Sequence, residues 1–152
     1  MLSDLPVADT EFLFGMRDCD SKHQHVKCIL DELERTAPDR KKELVIPPVA
    51  LFELVIVCMS ENKSVDIIIE ILDLIKDIAS RYKLEILDFS PDQLVKGLTV
   101  YKEFERGFFD SLVAGTALAY DNIVLGDDNA FLNIADLRRI GLAEYSSKLG
   151  RR

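Results

Sequence analysis

Several carboxylates of this chain stand where a carboxylate is costly. Glu53 is the only charged residue between Leu44 and Ser60, inside an otherwise apolar run. Asp9 closes the run Leu5 to Ala8, and Asp110 lies between Gly107-Phe108-Phe109 and Ser111-Leu112-Val113-Ala114-Gly115. Asp127 and Asp128 follow Ile123-Val124-Leu125-Gly126. A lone buried carboxylate costs several kcal/mol or is driven neutral, so each should have a partner. No Lys, Arg or His is local to Glu53. A divalent cation satisfies several carboxylates at once, and oxygen donors suit Mg²⁺ or Mn²⁺. Simpler readings stand beside this one. Asp9 would cap a following helix, and Asp110 would sit favourably in a first helical turn. Asp127 or Asp128 would cap a turn through Asn129-Ala130-Phe131, and Glu53 would be the solvated edge of a buried helix.

The elements that must position these acids alternate between short strands and helices. Apolar runs at Leu5–Ala8, Leu44–Ile46, Leu84–Asp88 and Ile123–Leu125 read as strands, with a possible fifth at Leu142–Tyr145. The Ser21-x-x-Gln24 pattern predicts a helix to about Thr36, and Pro47-Pro48 leads into a helix ending near Ser60. From Ser64 to about Tyr82, Asp66, Glu70, Asp73 and Asp77 form an acidic stripe, with apolar residues on the other faces. Ser90-Pro91-Asp92-Gln93 starts a helix that ends near Gly107. Further helices are expected over Phe109–Tyr120 and Asn129–Ile140. The pattern predicts a three-layer α/β/α fold with a parallel sheet of four or five strands. Ligands of such sheets bind beyond the carboxyl ends of the strands, where strand order reverses. The acids fall at that end.

Composition agrees with one domain over residues 1–147, with a short basic tail at 148–152 expected to fray. The 152 residues are 48% hydrophobic and carry a net charge of −8. That balance excludes a broad basic surface for nucleic acid and leaves engagement of phosphate through bound metal. Cys19, Cys28 and Cys58 fit neither a disulfide framework nor a zinc motif, so a reducing compartment is expected. With no signal sequence and no bilayer-spanning run visible, the reading is soluble and cytoplasmic.

Four blocks together resemble the PIN domain family, and in particular its compact VapC-like toxins. They are Val7-Ala8-Asp9-Thr10, Pro48 to Leu54 around Glu53, Phe109 to Ala117 beginning with Asp110, and Ile123 to Phe131 with Asp128 three residues before Phe131. The resemblance covers about Pro6 to Tyr145. It implies a metal-dependent endoribonuclease that holds one or two Mg²⁺ or Mn²⁺ ions and cleaves RNA with water. It further implies a homodimer and an antitoxin protein as partner. By that resemblance Asp9, Asp110 and Asp128 are metal ligands, Glu53 is a ligand or the orienter of the water, and Asp127 and Thr10 are auxiliary. Glu11 departs from the family's usual neutral polar residue, and its direction stays open. Without metal, at least one pocket acid should have a raised pKa. Helices 48–60 and 64–82 are apolar on more faces than a sheet covers, which independently favours a homodimer.

Two other classes compete. A phospho-accepting receiver domain would want an acidic pair after the first strand and a Lys after the fifth, and Asp9 has no adjacent acid. A PIN-like module that binds RNA or protein without turnover would be favoured by loss of a pocket acid, and none is lost. His23-x-His25 lacks a third ligand, Gly107, Gly115 and Gly126 are too isolated for a phosphate loop, and Phe104, Phe108 and Phe109 read as core.

Overall fold

The computed structural model describes residues 5–35, 42–82 and 84–151. Five short strands form one parallel sheet: β1 (Val7–Ala8), β2 (Val45–Ile46), β3 (Glu85–Ile86), β4 (Ile123–Leu125) and β5 (Arg138–Ile140). Their order is β3-β2-β1-β4-β5. Val7 pairs with both Val45 and Val124, so β1 is the central strand. The chain builds outward from β1 through β2 to β3, then returns to the other side of β1 with β4. Strand order therefore reverses between β1 and β4, which opens a crevice at their carboxyl ends.

Alternation along the strands divides the core in two. Val7, Val45 and Val124 point to one face, where they meet Val49, Val100, Val113 and Ala117. Ala8, Leu44, Ile46, Ile123 and Leu125 point to the other, against Phe12, Ile29, Leu33, Leu54 and Leu142. Helices cover both faces, as the three-layer expectation requires. They are α1 (Thr10–Phe14), α2 (His23–Arg35), α3 (Pro48–Ser60), α4 (Val65–Arg81), α5 (Pro91–Phe104), α6 (Phe108–Leu118) and α7 (Leu142–Gly150).

Local chemistry explains most boundaries. Ser64 and Ser90 cap α4 and α5, accepting from the amides of Ile67 and Gln93 at 3.3 and 3.2 Å. Pro48 opens α3 without sacrificing a helical N–H. The helix expected from Ser21 begins at His23, with the Asp20 carboxylate accepting from the Lys22 amide at 2.8 Å. Its expected end at Thr36 lies outside the described residues. α5 and α6 cross closely because Gly115 packs on Gly97: a Cβ on Gly115 would lie 2.1 Å from the Gly97 nitrogen.

Three expectations fail toward the C-terminus, and one element near the N-terminus is marked in the sequence only by its cap. No helix runs over 129–140; a single 3-10 turn at Asn129–Phe131 is followed by Asn133 and Asp136 with positive φ, then by β5. Arg138 and Arg139 disguise that strand, whose exposed edge tolerates charge. The strand expected at Leu142–Tyr145 is the start of α7, in which Leu142, Tyr145 and Leu149 recur at helical spacing and are buried. Leu149 at 2% exposure also anchors the stretch expected to fray. That element is α1, immediately after its cap Asp9; it is barely more than one turn, too short to show a period.

Candidate active site

The sheet and its crossover helices bring the predicted acids to one place. Asp9 follows β1, Glu53 lies in the second turn of α3, Asp110 in the first turn of α6, and Asp128 just after β4. Asp9, Thr10, Glu53, Asp110 and Asp128 line one cleft of about 240 Å³, together with Glu11, Phe14, Asp20, Ser21 and Lys22. The cleft occupies the crevice beside β1.

The capping readings are also true, and they serve the site. Asp9 caps α1, its Oδ1 accepting from the Thr10 amide at 2.7 Å, while its own amide donates to the Leu125 carbonyl at 2.9 Å. Asp128 caps the 3-10 turn through Oδ1 and the Ala130 amide at 2.8 Å. Each cap fixes one oxygen and leaves the second without a hydrogen bond among the described residues. Thr10 Oγ1 donates to Glu53 Oε2 and so ties α1 to α3. Gly126 lets the strand end approach this cluster, since a Cβ there would lie 3.0 Å from Asp9 Cβ.

A protein-family model described as the PIN domain matches residues 7–137. The chain belongs to the PIN domain family. Its fold is similar to VapBC2 of Rickettsia felis, solved bound to a DNA fragment from their promoter, at TM-score 0.66 and 22% identity over 90% of this chain and 98% of that one. It is similar to a toxin-antitoxin complex from Klebsiella pneumoniae at TM-score 0.55 and 11% identity, covering 88% and 95%. PAE2754 from Pyrobaculum aerophilum matches at TM-score 0.61 and 16% identity, covering 97% and 98%. A comparison with curated protein sequences returned no match.

Electrostatics divide the acids of this PIN domain into two sets. Asp9, 6% exposed, has its carboxyl pushed up to about 7 by burial, against the lowering effect of the Thr10 amide; Asp110, Glu11 and Glu53 add repulsion. Asp110 is raised as well, by burial and then by Asp128 and Glu53. The sequence predicts at least one strained acid without metal, and two are present. Asp127 behaves oppositely. Partial burial would raise it, but Lys22 Nζ at 2.8 Å and the Leu142 amide at 2.9 Å hold it below the usual carboxylate range. It does not line the cleft. Its amide donates to Glu11 Oε2 at 2.8 Å and its carbonyl accepts from Arg139 at 2.6 Å.

Asp127 thus joins α1, the approach to α2, β5 and α7. Glu11, whose direction the sequence leaves open, lines the cleft but is held toward Asp127 and Lys22, the latter at 3.7 Å. Lys22 is a site residue that sequence reasoning misses. Nothing in Ser21-Lys22-His23 marks it, because its partners lie 11 and 105 positions away.

The donor set of the PIN cleft is all oxygen, suited to a hard divalent cation. Mutual repulsion among its acids is the electrostatic condition such an ion relieves. Among the described residues, no three acidic, His or Cys groups already stand in a metal-holding arrangement. The cleft therefore supplies donors of the right chemistry that are not already drawn together around an ion. His23 makes no such contact; its Nδ1 faces the Gly15 carbonyl at 3.0 Å.

Proposed function

We propose that this PIN domain is a metal-dependent endoribonuclease and the toxin member of a toxin-antitoxin pair. The observation that carries the reading is the convergence of Asp9, Glu53, Asp110 and Asp128 from four separate elements on one cleft, with Asp9 destabilised there as a carboxylate. Asp9, Asp110 and Asp128 would hold Mg²⁺ or Mn²⁺, with Glu53 as a further ligand or as the group that orients water. The ion supplies acidification of water and neutralisation of charge on phosphate. Thr10 fixes Glu53 through Oε2 and leaves Oε1 to accept from the attacking water. Asp127 acts at one remove, as the tie that keeps α7 and Lys22 in place.

Partners follow from other surfaces. Phe52 and Met59 on α3 are 60% and 59% exposed, and Ile56 lies between them at helical spacing. Val65, Ile67 and Leu74 on α4 are exposed too, as are Val95, Leu98 and Tyr101 on α5. Apolar exposure on this scale supports a homodimer in which α3 is buried. Phe108, expected in the core, is half exposed and packs edge-on against Tyr101 at 6.1 Å, extending the α5 surface. An apolar groove of about 210 Å³, lined by Leu13, Met16, Leu54, Cys58, Ile71 and Ile75, supports docking of an antitoxin segment, the kind of partner that the R. felis and K. pneumoniae complexes contain. No described helix is long and apolar enough to cross a membrane, and we assign the protein to the cytoplasm with its RNA.

Thermal unfolding with and without metal tests the centre of this reading. Millimolar Mn²⁺ or Mg²⁺ should raise the melting temperature, because the ion binds only the folded state. No shift in the wild type, or an equal shift in an Asp9→Asn, Asp128→Asn double variant, would sink the site. Light scattering at 17.2 kDa over a hundredfold concentration range would remove the homodimer.

A further inference from the structure

We propose that Lys22 is a phosphate-contacting residue, which holds an RNA backbone phosphate at the rim of the carboxylate cleft. The inference rests on the nuclease reading for its substrate class and adds a residue to the site. Six carboxylates line the cleft: Asp9, Glu11, Asp20, Glu53, Asp110 and Asp128. Even two divalent ions leave that group negative, so an incoming phosphodiester still meets repulsion. Lys22 is the one Lys, Arg or His among the described lining residues. Among those residues it is the only fixed positive charge at the point of entry.

Its setting suits that task. The Lys22 backbone is pinned by the Asp20 carboxylate at 2.8 Å, and its carbonyl accepts from His25 and Val26 in the first turn of α2. The ammonium is held by Asp127 Oδ2 at 2.8 Å and faces Glu11 at 3.7 Å. An ammonium has three donors, and the Asp127 bond uses one. The side chain keeps 32% of its surface in solvent, so a phosphate oxygen can be met without breaking the existing bond. Much of the ordering cost of a long side chain has already been met in the free protein. Asp127 and Glu11 are the carboxylates that pair with the ammonium. Lys22 remains outside the metal-binding acids and beside them.

Two measurements test the proposal. A mixed-sequence single-stranded RNA 20-mer is titrated by fluorescence anisotropy, between 50 and 200 mM KCl, into Asp110→Asn protein with Lys22 intact or as Lys22→Gln. One lost phosphate contact should reduce the salt slope of log affinity by about 0.7. In the otherwise wild-type chain with Mn²⁺, Lys22→Gln should raise KM about tenfold and leave kcat within about threefold, the pattern of lost uniform binding. Lys22→Arg should restore both readouts. A structural role through Asp127 alone would lower the melting temperature and leave the salt slope unchanged, and that outcome overturns the proposal. If the wild type cleaves no RNA yet the slope falls in Lys22→Gln, the phosphate contact stands and the nuclease reading falls. If cleavage is metal-dependent and the slope is unchanged, the nuclease reading stands and the phosphate contact falls.

Discussion

Asp9 and Asp127 both follow core strands, and both end near the same crevice, yet they are treated oppositely. Asp9 is buried among Asp110, Glu11 and Glu53, and its carboxyl is pushed up to about 7. Asp127 is less buried, and the Lys22 ammonium together with the Leu142 amide of α7 holds its carboxyl below the usual carboxylate range. The difference lies in what surrounds each charge. One carboxylate was given a cationic partner by the fold, and no such partner acts on the other among the described residues. Asp127 behaves as a structural ion pair behaves, whereas a carboxyl raised by burial in a cleft, with like charges adding to the effect, is the pattern associated with function.

The largest effect expected from this contrast is on turnover. Asp110→Asn keeps size and removes one charge from the strained set. Metal-dependent cleavage of single-stranded RNA should fall at least about a hundredfold, while stability holds or rises. Assays with EDTA and added Mn²⁺ separate it from a contaminating ribonuclease. An equally active variant would move the catalytic centre off this cleft.

Next in size is the stability of the metal-free protein as a function of pH. The folded-state pKa of Asp9 lies above its unfolded value, so between about pH 4 and 7 the folded state binds the extra proton. Stability is therefore lost as pH rises through that window. Asp9→Asn retains a helix cap and should stabilise the protein at pH 8 by about 3 kcal/mol in urea titrations with EDTA. The gain should vanish near pH 4. A gain that is the same at both pH values would mean that charge is not the cause.

Asp127→Ala should behave in the reverse sense and cost about 2 kcal/mol at pH 7, from loss of the Lys22 and Leu142 bonds at a partly exposed site. Its folded pKa lies below the unfolded one, so its contribution is present above about pH 4 and fades as pH falls through the folded value. The deficit of the alanine variant should shrink in acid. A constant deficit down to pH 2 would point to packing.

The smallest effect concerns the seam between the two regions. A Cβ on Gly126 would meet both Asp9 Cβ at 3.0 Å and Glu11 Oε2 at 3.6 Å. Gly126→Ala places a methyl 3.0 Å from Asp9 Cβ and should cost about 1 kcal/mol. It should weaken the Mn²⁺-dependent thermal shift more than its own destabilisation explains. A variant with wild-type metal response would show that the two regions tolerate separation.

Local pattern was enough for the sheet-and-helix alternation. Buried strands announce themselves as short apolar runs, and Ser64 and Ser90 mark helix starts by chemistry that acts within three residues. The four acids were legible for a related reason: an isolated carboxylate in an apolar run is conspicuous wherever it later points. Legibility failed where neighbours in the chain are not neighbours in space. β5 reads as polar because only Ile140 of its three residues is buried at that edge. α7 reads as a strand until Leu149 extends its period.

The sequence by itself determined the type of fold and the donor chemistry of the cleft. Those depend on periodicity, on the cost of burying charge, and on which residue types interrupt apolar runs. Only the tertiary structure decided that Asp127 is tied to Lys22 and α7, which way Glu11 turns, and that Lys22 lines the cleft. Each of those depends on contacts among α1, the start of α2, β4 and α7, made between residues that are far apart in the chain. Coulomb energy and hydrogen-bond geometry are set by distance through space, which a linear pattern does not contain.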